Sequence, residues 1–358
     1  MKRWCLIIAA LCLLLCGCGQ GRQGSATDTV FAMDTVMTLT VYDSKGGEQA
    51  GAVLAEAETL VRELEGQLST TEPDSALSKI NRDGSGVLPA EAGALLAGAL
   101  DLCAETEGAL DVTIYPVSLA WGFTREDGDF RIPDRALLDS LLECVDYTRV
   151  RLDSPKEDGS RYVELAPGML LDLGAVAKGW TGDTLGGLIR QRLGEQAHAL
   201  LDLGGNVVAV GTKPDGVSPW RVGIRDPKDE NNLAGVVEAV DKTVVTSGGY
   251  ERFFERGGIR YWHILDPADG MPARSGLASV TVVGGADSGM RCDAYSTALF
   301  VMGAEKAADF WMARPEERFE LIMVTQDGGL LITEGLEQQF SPAGDYRNTT
   351  VEIIRREA

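Results

Sequence analysis

The chain has 358 residues, with 54 acidic side chains against 33 basic ones and a formal net charge of −21. A body this acidic has no general attraction for nucleic acid, so no nucleic-acid partner is expected. Any anionic ligand must meet positive charge locally, as a lysine or a bound metal ion. Residues 1–17, MKRWCLIIAALCLLLCG, set two cations before an apolar run ending in small residues, the form of a secretory signal and too short for a stable span.

Leu15-Cys16-Gly17-Cys18 has the look of a bacterial lipobox. It predicts cleavage before Cys18, acylation there with chains such as palmitate, and anchoring without a spanning helix. An ordinary signal peptide cut elsewhere is the alternative. Residues 18–28 are expected as a lipidated, flexible tether and 29–358 as one domain, with a charge of −23 once Lys2 and Arg3 are gone. That places the protein on the extracytoplasmic face of the cell membrane, facing the periplasm where the host has one. Cys103, Cys144 and Cys292 are too few for a disulfide framework. Neither CxxC nor HExxH occurs and there are two histidines, so zinc is not expected.

Along the domain, apolar and small polar residues alternate over 30–42, predicting a strand or hairpin. Residues 47–68 and 89–106 have helical spacing, and the turn-rich STTEPDSALSKINRDGSG between them starts a short helix at Asp74 or Ser75. The spacing predicts a helix over 174–193, several short strands from 200 to 245, and a strand at 278–283. Helices at 286–302 and 304–314 and strands at 321–325 and 330–333 follow. Strand pairs with short turns among packed helices argue for an α+β fold of mixed or antiparallel sheets, not a doubly wound parallel sheet.

One phrase occurs twice: LLDLGAVAKG at 170–179 and LLDLGGNV at 200–207. In the first, a buried strand is expected to end at Asp172, and Gly174 turns the chain into a helix carrying Lys178. A helix N-terminus beside a lysine is a plausible phosphate seat, though the P-loop spacing is absent and strand-Asp-Leu-Gly turns also occur in plain cores. Further on, Asp293, Ser296 and Thr297 stand at i, i+3 and i+4, so three oxygen-bearing side chains share a helix face. Such a face suits a hard cation such as Mg²⁺, and equally a capping or packing pair. His263 lies in a predicted strand before Asp266-Pro267, among aromatics that fit either a core or the wall of a planar-ligand site.

These motifs, in order, resemble the ApbE family of flavin transferases: AMDTVMT, LSTTEPDSALSKIN, GALDVTIYPVSLAWGF, LDLGAVAKGWTGD, LDLGGNVVAVG, WRVGIRDP, TSGGYERFF, HILDPADGMPA and CDAYSTALFVMG. The resemblance covers essentially the whole mature chain and implies an FAD cleft between two intimate lobes. It implies FAD as substrate, Mg²⁺ as cofactor, and transfer of FMN to a threonine of an acceptor flavoprotein with release of AMP. It implies nucleotide contacts at Met33, Thr71, Ala109, Leu110, Asp111, Asp172, Lys178 and Leu265. The metal would be held by the Ala175 carbonyl, Asp293 and Thr297, with Ser296 close by. Two departures stand out: Asp34, where many relatives have glycine, and Thr71, a place often held by an aromatic.

The family's acceptors are subunits of membrane redox complexes and extracytoplasmic reductases. Transfer of this kind is mostly positioning and charge stabilisation, and the acceptor proton needs a base, either His263 or a metal-site carboxylate. A Mg²⁺-dependent FAD pyrophosphatase and a non-catalytic flavin-binding lipoprotein are the rival readings. The second LLDLGG is expected to line the same cleft as the first.

Overall fold

A computed structural model describes residues 24–43, 46–124 and 129–356. The chain opens with a hairpin, β1 (Gly24–Ala32) and β2 (Thr35–Asp43), followed by helices α1 (Glu48–Leu68) and α2 (Ala76–Asp83). Then come β3 (Ser85–Leu88), α3 (Ala90–Glu105), α4 (Tyr115–Trp121), α5 (Arg135–Leu142), β4 (Arg151–Leu152) and β5 (Arg161–Glu164). Helix α6 (Gly174–Leu193) leads to β6 (His198–Asp202), β7 (Asn206–Val210), β8 (Trp220–Asp226), β9 (Asp229–Ala239) and β10 (Lys242–Gly248). A small hairpin, β11 (Phe253–Arg256) and β12 (Ile259–Trp262), precedes β13 (Leu277–Gly285), α7 (Gly289–Met302) and α8 (Ala304–Met312). The last strands are β14 (Glu320–Thr325), β15 (Leu330–Thr333), β16 (Phe340–Pro342) and β17 (Val351–Ile354).

The main sheet runs β1-β2-β6-β7-β10-β13-β14-β15-β17, antiparallel throughout except for the parallel pair β15–β17. Its central strands β13 and β14 are buried on both faces, and consecutive side chains point opposite ways. Val280 and Val282 of β13 and Leu321 and Met323 of β14 join the core beneath α3, α7 and α8. Val283, Ile322 and Val324 face the other way, against the three-stranded sheet β16-β9-β8. Helices α1 and α6 cover β1, β2, β6 and β7. A satellite core of Val117, Trp121, Leu138, Tyr261 and Leu265 ties α4 and α5 to the small hairpin. The architecture is the expected α+β one, with antiparallel pairing dominant.

Three expectations change. Residues 24–28 are not part of a tether: they form the first half of β1, with Ala26 opposite Val41 and Asp28 opposite Leu39. The mixed polar composition hid a strand whose inward side is small. Signal peptide and Cys18 lie outside the described residues. Leu170-Leu171-Asp172 is not a strand but an extended segment with one bridge, Ile114 to Leu170. Its backbone groups are satisfied singly: Leu171 exchanges two hydrogen bonds with the Asn81 side chain, at 2.7 and 2.8 Å, and the Asp172 N–H donates to the Val112 carbonyl at 2.8 Å. Finally, α7 starts at Gly289, because 286–288 form a turn held by the Ser288 hydroxyl on the Gly285 carbonyl.

Candidate active site

Both copies of the repeated phrase do the same local job. Asp172 Oδ1 accepts the Gly174 N–H at 2.8 Å, and Asp202 Oδ1 accepts the N–H groups of Gly204 and Gly205 at 3.0 and 3.1 Å. The aspartate folds the chain over its own carboxylate, as short acceptor side chains do at turns. One copy turns into α6; the other turns β6 into β7.

The site forms where α6 crosses α7. At the crossing two glycines meet: a Cβ on Gly179 would lie 2.1 Å from the Gly289 carbonyl oxygen, and one on Gly289 would lie 2.5 Å from that of Gly179. Only hydrogen at both positions permits this approach. Asp183, one turn further along α6, then caps α7 by accepting the N–H groups of Gly289 and Met290 at 2.6 and 2.9 Å.

The close crossing brings Asp293 onto α6. Asp293 is 4 % exposed and its Oδ2 accepts the Gly179 N–H at 2.9 Å. In a regular helix that N–H would serve the Ala175 carbonyl four residues back. The carboxylate and the Ala175 carbonyl therefore converge on one donor. Burial raises the Asp293 pKa, opposed by the Lys178 cation, the Asn206 carboxamide and the Gly179 N–H. Asn206 is buried beside the carboxylate and opens the second repeat's strand, yet its Nδ2 completes no well-formed hydrogen bond among the described residues.

Thr297 lies one turn beyond Asp293, 3.3 Å from the Ser247 hydroxyl at the end of β10. Ser296 reaches the same place, but its hydroxyl is engaged twice, with Ser247 at 2.7 Å and with the Asp293 carbonyl at 2.8 Å. No group of three or more His, Cys, Asp or Glu is placed to hold a metal ion among the described residues. The available donors are one carboxylate, a carbonyl and hydroxyls. That all-oxygen set with a single charge fits a hard, partly hydrated ion such as Mg²⁺ and not a soft or nitrogen-seeking one.

Around Lys178 stand further charged groups that the sequence alone did not single out. Glu251 and Arg252 follow Tyr250 in the TSGGYERFF motif, and burial raises the Glu251 pKa against the pull of Lys178, Arg225 and Arg252. Asp172 is raised likewise by burial, with the Gly174 N–H, Arg252 and Lys178 opposing. His263 shares this surrounding: burial first, then Arg252 and Lys178, push its pKa down to about 4. The ring keeps partial solvent contact, so it is crowded rather than sealed.

The other expected residues are distributed unevenly. Met33 sits in the β1–β2 turn with φ +49°, its N–H on Glu65 at 2.7 Å and its sulfur accepting the Thr181 hydroxyl of α6 at 3.6 Å. Thr71 is exposed on the loop before α2, where the Tyr115 hydroxyl donates to the Thr70 carbonyl at 3.4 Å. Ala109 and Leu110 pack against the main core. Asp111 is buried with both oxygens engaged, by the Thr113 N–H and hydroxyl at 2.8 and 2.6 Å and the Tyr147 N–H at 3.0 Å. Its side chain anchors a loop, leaving only backbone to face a ligand. Leu265 belongs to the satellite core and bridges to Pro272.

Two solvent-open pockets lie elsewhere, one of about 470 Å³ lined by Asp266, Met271 and Met302, and one of about 650 Å³ lined by Trp180, Asp183 and Arg291. Neither is lined by Lys178 or Asp293. Trp180 is two residues from Lys178, about 200° around the helix, so the larger cavity opens from another face of α6.

Comparison with known proteins places this arrangement. The ApbE family profile matches residues 33–322. A Treponema pallidum protein named FAD:protein FMN transferase is 35% identical over 328 residues, covering 86% of this chain and 88% of that one. A Vibrio cholerae protein of the same name is 30% identical over 86% of this chain and 89% of its own length. Among solved structures, the apo form of the Pseudomonas stutzeri flavinyl transferase ApbE superposes with a TM-score of 0.72 at 30% identity, covering 86% of this chain and 92% of that chain. The Thermotoga maritima ApbE protein gives 0.76 at 28% identity, over 86% and 96%.

Proposed function

Because the chain belongs to the ApbE family, we propose that it is an FAD:protein FMN transferase, moving FMN from FAD to a threonine hydroxyl of an acceptor flavoprotein and releasing AMP. The observation that carries this reading is the α6–α7 crossing, which sets Lys178, Asp293 and the Ala175 carbonyl together at a cleft in an otherwise acidic protein. The diphosphate of FAD needs local positive charge, and Lys178 supplies it.

Ala175, Asp293 and Thr297 would hold Mg²⁺, with Ser296 orienting Thr297 through Ser247. When bound, Mg²⁺ neutralises the diphosphate and withdraws electrons from the phosphorus under attack. Lys178 holds the phosphate oxygens, with Glu251 near it and Asn206 beside Asp293. The acceptor hydroxyl forms the new P–O bond as the P–O bond to AMP breaks. Its proton passes to His263, which is neutral at pH 7 and so free to accept it. AMP departs with the bridging oxygen and its electron pair. The hydroxyl of water would give FMN and AMP instead, the hydrolase reaction.

Anchoring at Cys18 and an extracytoplasmic setting belong to the same proposal, supported by Leu15-Cys16-Gly17-Cys18. With β1 beginning at Gly24, only residues 19–23 are left as spacer. Incubation with FAD, Mg²⁺ and acceptor domains, followed by intact mass, tests the function. A gain of one FMN less water on the acceptor, lost when its threonine is replaced, is expected. AMP release at the same rate with and without acceptor would overturn transfer in favour of hydrolysis.

A further inference from the structure

His263 hangs from one residue. The Arg252 carbonyl accepts the His263 backbone N–H at 3.1 Å and lies 3.3 Å from its Nδ1. A carbonyl can only accept, so Nδ1 carries the hydrogen in this contact and Nε2 is the basic nitrogen of the neutral ring. The Arg252 side chain pairs at the surface with Asp34, with Nη2 and Oδ2 2.6 Å apart.

Asp34 is itself unusual. It occupies the tip of the β1–β2 hairpin at φ +60°, beside Met33 at +49°, where residues with a side chain are uncommon. The tip is fixed from behind, by the Met33 N–H on Glu65 of α1 and by the Met33 sulfur on Thr181 of α6. Arg252 is therefore tied to a fixed point, and His263 is tied to Arg252.

We propose that Asp34 and Arg252 form a positioning pair for His263: Asp34 holds the guanidinium so that the Arg252 carbonyl presents the imidazole with Nε2 free. The catalytic consequence rests on His263 being the proton acceptor proposed above; the pairing itself does not.

The charges facing His263 are the cations Arg252 and Lys178. Asp34 offsets Arg252, while Asp172, Glu251 and Asp293 surround Lys178. Removing Arg252's charge should ease protonation of the ring. Removing Asp34's charge should hinder it, because the guanidinium is left bare. A pair that only braced the loop would move neither.

The chain has two histidines, so imidazole NMR on the full chain labelled at histidine reads His263 directly once His198→Gln assigns the other. The expected neutral tautomer is Nδ1–H. Arg252→Gln should raise the His263 titration midpoint by on the order of half a pH unit, the size for a partly solvated charge. Asp34→Asn, which tolerates the left-handed backbone, should lower it, and Arg252→Lys should restore the wild-type midpoint. The acid limb of the transfer rate should move with the midpoint. An Nε2–H tautomer, or midpoints unchanged in both charge-removing variants, would overturn the pairing. If the midpoints move as expected while His263→Ala transfers FMN normally, the pairing stands and His263 is not the base.

Discussion

The backbone N–H of Gly179 donates to Asp293 across 114 residues of sequence, at 2.9 Å. That bond joins the two halves of the site. It brings a buried carboxylate to the N–H that a regular helix pairs with the Ala175 carbonyl, so the acidic and carbonyl oxygens face a common donor. Asp293→Ala should cut Mg²⁺-dependent AMP release by on the order of 10²-fold or more, the scale of losing one preorganised charge stabiliser. FAD affinity measured without metal should barely change. Asp293→Asn retains an acceptor for Gly179 and should keep the melting temperature while losing the Mg²⁺ response. Turnover and a Mg²⁺ midpoint matching wild type in either variant would remove Asp293 from the metal site.

Much of this was legible from the chain. The helix over Gly174–Leu193 follows from its spacing, and the hairpin at 30–42 from its alternation. The oxygen face of α7 could be read because i, i+3 and i+4 positions share a side. Other features had no local signal. Helices α4 and α5 are only seven and eight residues long, too short to show a period, and α4 is amid turns. The segment before Asp172 has a strand's composition, but its partners are the Asn81 side chain and a single bridge, both remote in sequence. Glu251, Arg252 and Asn206 read as ordinary turn and strand residues until the fold gathers Glu251 and Arg252 around Lys178 and sets Asn206 beside Asp293. Contacts made across tens of residues leave no trace in periodicity.

Lys178 illustrates the point. It is the fifth residue of α6, and a cation near a helix start is mildly disfavoured, so its removal would seem harmless to the ligand-free protein. The structure reverses that expectation, because Lys178 offsets three carboxylates: Asp172, Glu251 and Asp293. Lys178→Ala should weaken FAD binding and also cost about 1–2 kcal/mol of apo stability at pH 7, less than a sealed ion pair because Lys178 is only half-buried. The cost should shrink as acid protonates the carboxylates. Thermal melts from pH 4 to 8 check this; a cost that does not change with pH would contradict the charge argument.

Two groups oppose each other in the pH dependence of stability. His263 is pushed down from 6.5 to about 4, so between those values the unfolded chain binds the proton and the folded one does not. Its contribution is complete above about pH 6.5 and is lost on acidification. Asp183 is pushed up from 3.8 to about 6, chiefly by burial, with its bonds to Met290 and Gly289 opposing. The folded state then holds the extra proton, so Asp183 stabilises below about pH 4 and loses that effect as pH rises through 6. The two nearly cancel between pH 4 and 6. Asp183→Asn should therefore unmask a steeper loss of stability on acidification through that window, seen as a larger fall in melting temperature. An unchanged slope would show that Asp183 is not held protonated in the fold.

Glycines in α6 provide the sharpest contrast between packing and propensity. An alanine favours helix over glycine by about 1 kcal/mol wherever nothing else intervenes. At Gly187 nothing lies within 4 Å of the added Cβ, so Gly187→Ala should raise stability by up to that amount and leave transfer alone. At Gly179 the same methyl would meet the Gly289 carbonyl oxygen at 2.1 Å and the Met290 nitrogen at 2.8 Å. Those atoms are backbone and cannot rotate away, so α7 must move as a body. Overpacking of this kind costs about 1–3 kcal/mol, or more where backbone is hit. The displacement also pulls Asp293 from the Gly179 N–H and from Lys178. Gly179→Ala should thus destabilise the fold and abolish FMN transfer together, with Mg²⁺ dependence lost even in whatever fraction stays folded at low temperature. Melting curves and AMP release on the two variants decide it. Folded Gly179→Ala protein with normal Mg²⁺-dependent turnover would mean that the crossing of α6 and α7 does not build the site.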